Sequence, residues 1–320
     1  MPDISKINAL DIGSVSKVDG LAKASILDID GVAVPAGFTG LLDTYPNSVG
    51  AYSVRRLNSS YTGAAMRVRE DTTDVQTDID FDSNGDLDTA AITAFATLYS
   101  ATNVYVVYMY DQSQAGGTAT GNDVFTLSAA AQPGILLSGS IHTENGKPAL
   151  DYSSRTTNAL TSQSNIRGAT DDFSAFMVLN NGTSNFRWEW GIGTTNTNWE
   201  GVTRRASNTD FGIPFSDNTT LGATTPSAMD VQHLVTYTRG GLTSNGIAAR
   251  FNSTPLTLSN QDATARTLVA DVVDVGGRPT GGGQITGSWQ EAIFYDFDQS
   301  SPTDNRAGIE SNIDTYYSIP

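Results

Sequence analysis

The sequence predicts an all-β fold with one or two short helices, preceded by a small segment of β-repeats. Three observations predict it. The 320-residue chain is rich in Gly, Ser, Thr, Asn and Asp, which favour short strands and turns over long helices. Runs of β-branched and aromatic residues recur along the chain. The first 35 residues repeat with a period of 11.

The repeat unit at residues 4–10 returns at 15–21 and 26–32. Each copy places β-branched residues before an Asn or Asp turn, and Asp-Gly tolerates the positive φ of a tight turn. A unit this small cannot bury its own apolar face. We therefore expect residues 1–36 to be an attachment or oligomerisation segment, and residues 37–320 to form one sandwich domain. The residues expected to make the attachment are Ile4, Ile7, Val15, Val18, Ile26 and Ile29.

The charge of the chain excludes several partners. The formal net charge is -16 and the pI is near 4.3, so the surface repels phosphate backbones and anionic lipids. No stretch reaches the length of an apolar membrane span. The chain has no cysteine, so disulfides and thiolate metal sites are excluded. We expect neither a nucleic-acid partner nor a membrane partner.

Two helices and one central strand have clear patterns. Residues 87–99 predict a helix capped by Asp86 or Asp88, with Leu98 on its apolar stripe. Residues 305–317 predict a short closing helix. The continuous apolar run at residues 104–110 predicts a strand buried on both faces.

Four segments near the start of the body resemble a known family. Residues 50–57, 61–69, 87–91 and 110–113 resemble the start of the catalytic domain of fungal-type α-L-arabinofuranosidase B. Residues 287–295, 309–313 and 316–319 are similar to the last strand and closing helix of laminin-G-like modules. Both resemblances imply a concanavalin A-like jelly-roll β-sandwich.

The same signatures behind a Ser-Lys-Ile-Asn-type repeat look like virion proteins of tailed phages. This resemblance implies a structural protein on the virion surface, as a head decoration or part of a tail fibre. Residues 1–36 would then contact other virion proteins, the chain would be a homo-oligomer, and the sandwich could bind a host surface glycan. Two alternatives stay open: a polysaccharide-degrading glycoside hydrolase and a purely architectural capsid cement protein.

Catalysis requires a specific carboxylate pair. Retaining glycosidases place two carboxyl groups about 5 Å apart. Acidic residues near aromatic ones are plentiful, but no pair stands out, and Glu189 is the best single candidate. A strand ion pair with Arg187 explains Glu189 equally well. The arabinofuranosidases that the chain resembles carry an adjacent cysteine pair at the substrate site, which this chain lacks. We therefore expect no enzymatic activity.

A glycan site is predicted where an aromatic residue follows a polar loop. Exposed aromatic rings stack on sugars, and polar neighbours exchange hydrogen bonds with hydroxyl groups. The candidates are Trp199, Asn196, Asn198 and Glu200. Core packing is the alternative for each tryptophan.

One loop imitates the front of a calcium site. Asp80, Asp82, Asn84 and Asp86 place oxygen ligands at alternate positions before an aliphatic residue. Ala91 stands where the bidentate Glu belongs, and a turn that caps the next helix explains the same residues. Calcium is the single cofactor that the sequence suggests.

Overall fold

The structure is a computed structural model, and its contacts divide the chain into two units, Met1–Thr39 and Gly40–Pro320. It describes residues 38–113, 122–153, 160–167, 172–182, 187–193, 199–204, 210–216, 220–224, 230–278, 283–300 and 305–320, together with the backbone of six short strands within residues 6–33.

The first unit contains three strand pairs that repeat as the sequence does. They are β1 (Lys6–Ile7) with β2 (Leu10–Asp11), β3 (Lys17–Val18) with β4 (Leu21–Ala22), and β5 (Asp28–Ile29) with β6 (Val32–Ala33). All three pairs are antiparallel and share one register. Of the predicted attachment residues, Ile7, Val18 and Ile29 lie on these strands, where the backbone alone is described. Ile4, Val15 and Ile26 lie outside the described residues.

The second unit contains two sheets, and the one with the longest strands is called sheet one. The order of its strands, whose residue ranges follow, is β25, β24, β23, β18, β27, β7. The strands are β7 (Gly50–Ser53), β18 (Phe173–Leu179), β23 (His233–Arg239), β24 (Ile247–Phe251), β25 (Thr254–Pro255) and β27 (Ser288–Tyr295).

Sheet two lies against sheet one, in the order β9, β8, β10, β11, β17, β26, β19, β20, β21, β22. Its strands are β8 (Met66–Glu70), β9 (Gln76–Ile79), β10 (Val104–Met109), β11 (Val124–Phe125), β17 (Leu160–Ser162), β19 (Arg187–Ile192), β20 (Glu200–Arg204), β21 (Asp210–Pro214), β22 (Thr220–Thr224) and β26 (Val273–Val275). Strands β12 (Gly134–Leu137) and β16 (Leu150–Asp151) connect β10 to β27, β13 (Ser140–Ile141) pairs with β12, and β14 (Thr143–Glu144) forms a hairpin with β15 (Lys147–Pro148).

Side chains from the two sheets meet in one core. Trp190 of sheet two contacts Phe173, Tyr237 and Phe294 of sheet one, with ring centroids 5.4–5.9 Å apart. These contacts confirm the predicted all-β sandwich. Three helices accompany it: α1 (Leu41–Thr44), α2 (Thr89–Leu98) and α3 (Arg306–Tyr317). None of the helices in the described part of the chain is long and apolar enough to cross a membrane.

Helix α2 forms where predicted, with one error in its buried stripe. Asp88 is the N-cap and accepts a hydrogen bond from the Ala91 amide, while Ile92 and Phe95 are buried. The prediction for Leu98 is wrong, since its side chain is 74% exposed. At 100° per residue, Leu98 lies about 120° around the helix from Ile92, outside the buried stripe.

Helix α3 is fixed to sheet one by a buried ion pair. The Arg55 guanidinium donates to both carboxylate oxygens of Glu291, at 2.7 and 2.9 Å, and to Asn312 of α3 at 2.8 Å. It also lies 4.5 Å from the centre of the Tyr316 ring. The segment that follows β7, the last strand β27 and the closing helix α3 therefore share one ion pair.

We predict that losing either partner of this pair destabilises the domain strongly. Removing one charge leaves the other buried without compensation, so Arg55→Met or Glu291→Gln should each lower the free energy of unfolding by about 3–5 kcal/mol. Urea denaturation measures this change. The matched control is the bidentate pair Arg67–Asp78, whose side chains are 41% and 43% exposed, and whose loss should cost about 0–1 kcal/mol. Equal costs at the two pairs would contradict the prediction.

Candidate functional site

A row of small and polar residues crosses the outer face of sheet two. Thr161 pairs with Asp274, Asp274 with Gly191, and Gly191 with Gly201, on four adjacent strands. The alternating neighbours of these residues lie in the core between the sheets: Leu160, Val273, Val275, Trp190, Ile192 and Val202. Because side chains alternate along a strand, the row itself faces away from that core.

The two glycines form a floor without side chains. A Cβ atom on Gly201 would lie 2.4 Å from the Trp190 carbonyl oxygen and 3.0 Å from the Trp188 ring. A side chain at this position is therefore excluded. Glycine inside a strand is typical of places where another group approaches the backbone closely, and at Gly201 those groups are the Trp188 ring and the backbone of β19.

Two tryptophans stand beside this floor. Trp188 and Trp199 meet edge to face, with ring centroids 5.4 Å apart, and the Arg278 guanidinium lies 5.3 Å from the centre of the Trp199 ring. Trp188 is buried and Trp199 is half-buried. Among the residues that the structure describes, the buried indole N–H groups of Trp188 and Trp199 have no hydrogen-bond acceptor. Buried indole donors normally find an acceptor, so both are available to a bound oxygen atom.

Asp274 supplies the titratable group of the row. It is 4% exposed and accepts a hydrogen bond from the Thr161 hydroxyl. Its pKa is raised to about 6, chiefly by burial and also by the nearby charge of Asp271, against the lowering effect of the Thr161 hydrogen bond. Near pH 6 this carboxyl group can therefore either donate or accept a proton.

The structure places Glu200 inside the sandwich, so its prediction as a glycan-binding residue is wrong. Its carboxylate accepts hydrogen bonds from Arg239 at 2.7 Å, Tyr237 at 2.8 Å and Arg167 at 3.0 Å. Burial would raise its pKa, but the two arginines hold that pKa below the ordinary value. The side chain is fully buried and its oxygens are occupied.

Glu189, the catalytic candidate, also faces the interior. The register of β19 against β20 shifts between Trp188 and Trp190, which makes Glu189 the extra residue of a β-bulge. Its carboxylate contacts Asn181 and His233, and lies 3.9 Å from Arg204. The predicted pairing with Arg187 is therefore replaced by other partners.

Glu189 and Glu200 are not a catalytic pair. His233, which contacts Glu189, and Tyr237, which contacts Glu200, are four residues apart on β23. The Cα atoms of His233 and Tyr237 are therefore about 13 Å apart, so the two carboxylates contact β23 at well-separated points.

Trp199 is the glycan candidate that the structure brings to the outer-face row. Asn196 and Asn198 lie outside the described residues. Of the other tryptophans, Trp190 and Trp289 belong to the core, as the alternative interpretation holds.

In the loop that the sequence predicts as a calcium site, Asp82 and Asp86 accept hydrogen bonds from other groups of the protein. One Asp82 oxygen accepts the backbone N–H groups of Asn84 and Asp86, at 2.8 and 2.9 Å. Asp86 accepts the Tyr316 hydroxyl group. The described residues contain no group of three His, Cys, Asp or Glu side chains able to hold a metal ion, and this includes Asp80. The alternative of a turn before a capped helix describes this loop.

Comparison with known proteins shows what the fold is similar to. No protein-family model and no curated protein matches the chain. A mutant of a GH54 α-L-arabinofuranosidase soaked with 4-nitrophenyl α-L-arabinofuranoside is 15% identical, with a TM-score of 0.61 over 86% of this chain and 65% of that one. A GH54 α-L-arabinofuranosidase soaked with a cyclic sulfate inhibitor is 17% identical, with a TM-score of 0.58 over the same shares.

A third structure, an arabinofuranosidase complexed with arabinofuranosyl-α-1,2-xylobiose, is 15% identical, with a TM-score of 0.52 over 86% of this chain and 64% of that one. The chain thus spans less than two thirds of the length of these enzymes. At these identities the likeness shows the shared β-sandwich fold.

We predict that Asp274 lowers stability as its carboxyl group ionises. Its folded pKa of about 6 exceeds the unfolded value of 3.8, so the native state holds the extra proton between these values. The contribution of Asp274 to stability therefore falls as pH rises from about 4 to about 6. Asp274→Asn should remove this loss and raise the free energy of unfolding at pH 7 by on the order of 2 kcal/mol.

Urea denaturation of both proteins from pH 4 to pH 8 tests this expectation. The difference in free energy between variant and parent should grow through the interval and then level off. A difference that does not change with pH would show that Asp274 does not titrate there.

Proposed function

We propose that the sandwich is a saccharide-binding domain and that the outer-face row holds the sugar. The observation that carries this proposal is the glycine floor of Gly191 and Gly201 beside Trp188 and Trp199. Aromatic rings bind the apolar faces of sugars, and buried N–H groups donate hydrogen bonds to sugar oxygens. The arabinofuranoside ligands of the similar structures belong to the same chemical class.

Asp274 fits the same role through its hydrogen bonds. A sugar hydroxyl group can both donate and accept a hydrogen bond. A carboxyl group with a pKa of about 6 can accept the first kind of bond when ionised and donate the second when protonated. Thr161 holds one of its oxygens. The second oxygen is the one that we assign to the ligand.

We predict binding to polysaccharides that depends on this row. The probes are arabinan, arabinoxylan and a panel of bacterial surface polysaccharides, immobilised as an array. Trp188→Ala and Asp274→Asn should each weaken binding at least tenfold, which corresponds to about 1.4 kcal/mol.

Asp314→Asn is the matched control, because Asp314 also has a raised pKa but lies on α3. This variant should bind as the parent does. Binding that survives both row substitutions would contradict the proposal.

Hydrolysis is the second candidate, and the raised pKa of Asp274 favours it. Glycosidases keep their general acid protonated near the working pH in this way. Asp271 is the nearby acidic residue whose charge raises that pKa. Release of reducing ends from the bound polysaccharide, abolished in Asp274→Asn, would establish hydrolysis. Binding without release would leave a recognition domain.

We further propose that residues 1–36 attach the domain to a larger assembly and, from the phage resemblance, that this assembly is a virion exterior. Three strand pairs in one register support this role, since each two-residue strand pair needs a partner to cover it. A purely architectural cement protein would share this attachment but bind no glycan.

We predict that residues 1–36 cause self-association. In sedimentation velocity the full chain should form a discrete homo-oligomer, while a chain lacking residues 1–36 should be a monomer. A triple variant, Ile7→Asp, Val18→Asp and Ile29→Asp, should behave like the truncated chain. An oligomer of unchanged size in both variants would contradict the assignment.

A further inference from the structure

The outer-face row does not end at Thr161. The cross-strand register extends it over eight adjacent strands, in the order Asp78, Arg67, Tyr108, Phe125, Thr161, Asp274, Gly191 and Gly201. Neighbouring residues on each strand, such as Val68, Met109 and Val124, belong to the core. All eight residues therefore lie on one face of sheet two.

Burial increases along this row. The side chains of Arg67 and Asp78 are 41% and 43% exposed. Tyr108, Phe125 and Thr161 are half-buried, and Asp274 is 4% exposed. The row is thus open at one end and leads to the buried carboxyl group beside the glycine floor.

The open half carries a ladder of near-parallel aromatic rings. Tyr108 and Phe125 have centroids 5.2 Å apart and planes 12° apart, and Tyr108 and Tyr110 have centroids 6.2 Å apart and planes 16° apart. All three rings are half-buried. The prediction that this strand is buried on both faces is therefore wrong: Tyr105 and Tyr108 are half-buried and lie outside the core, and Tyr108 belongs to the open half of the row.

Charged groups fix the outer end of the ladder. Asp78 accepts both hydrogen bonds of a bidentate pair with Arg67, at 2.8 and 2.9 Å, and also the Tyr110 hydroxyl group at 2.8 Å. Aromatic rings accompanied by a few placed polar groups are typical of small-molecule binding sites, and sugars are among the ligands that such sites bind.

We infer that these residues form one groove and that its ligand is a linear oligosaccharide rather than a single sugar. The groove rests on the proposed function and adds to it the class of ligand, a linear chain of sugars. Three strand spacings separate Tyr108 from Asp274, which amounts to about 14 Å. A single sugar at Asp274 leaves the aromatic ladder uncovered, whereas a chain of sugars laid across the strands contacts both.

Binding of fragments of increasing length tests the groove. The probe is arabinoxylan cut into a ladder of fragments from the disaccharide upward, with the same ladder from any other polysaccharide that the array identifies. Affinity measured by calorimetry should rise with fragment length. Tyr108→Ala and Phe125→Ala should each weaken binding of the longest fragment about five- to tenfold and leave the shortest unchanged.

Tyr105→Ala is the matched control, because Tyr105 lies half-buried on the same strand but outside the row. It should not alter binding of any fragment, and thermal unfolding should show that all three variants are folded. If short and long fragments bind equally, with dependence on Trp188 alone, the groove is wrong and the proposed function stands. If no fragment binds at all, the proposed function and the groove fail together.

Discussion

Arg55 and Glu291 lie 236 residues apart in sequence and form a bidentate ion pair in the interior. A charge in that position is costly unless its partner is held in place, so the pair requires β7, β27 and α3 to be correctly assembled at once. Tyr317 of α3 also donates to Glu291, at 3.1 Å. The segment after β7, the last strand and the closing helix of the domain thus meet at one ion pair.

The residues that carry the arabinofuranosidase resemblance take part in this same assembly. Asp111 accepts the Ala51 amide at 2.9 Å, and the Gln112 side chain bonds the backbone of Leu57, Ser53 and Arg55. These contacts join one resembling segment to another across the start of the sandwich. These segments therefore fix backbone geometry. This explains how the sequence could predict the fold without identifying an active residue.

Sequence patterns predict the features that depend on residues close together in the chain. The cap at Asp88 and the buried Ile92 follow from helix geometry alone, whereas the outward tyrosines of β10 depend on the register with β8 and β11. Asp274 was missed for the same reason, because its neighbours Thr161 and Gly191 are distant in sequence. One local signal was present: an acidic residue within the Val272–Val275 run of β-branched residues. Glu200 was misplaced because its paired arginines are equally remote.

Two buried carboxyl groups of sheet two differ in how the cost of their burial is met. Glu200 is surrounded by Arg167 and Arg239, which keep it ionised inside the core. Asp274 has a hydroxyl donor and another acidic residue nearby, so its neutral form persists to about pH 6. An asparagine would satisfy the same position at lower cost near neutral pH. A residue that reduces stability where it stands is typical of a functional position, and the groove across sheet two gives Asp274 such a position.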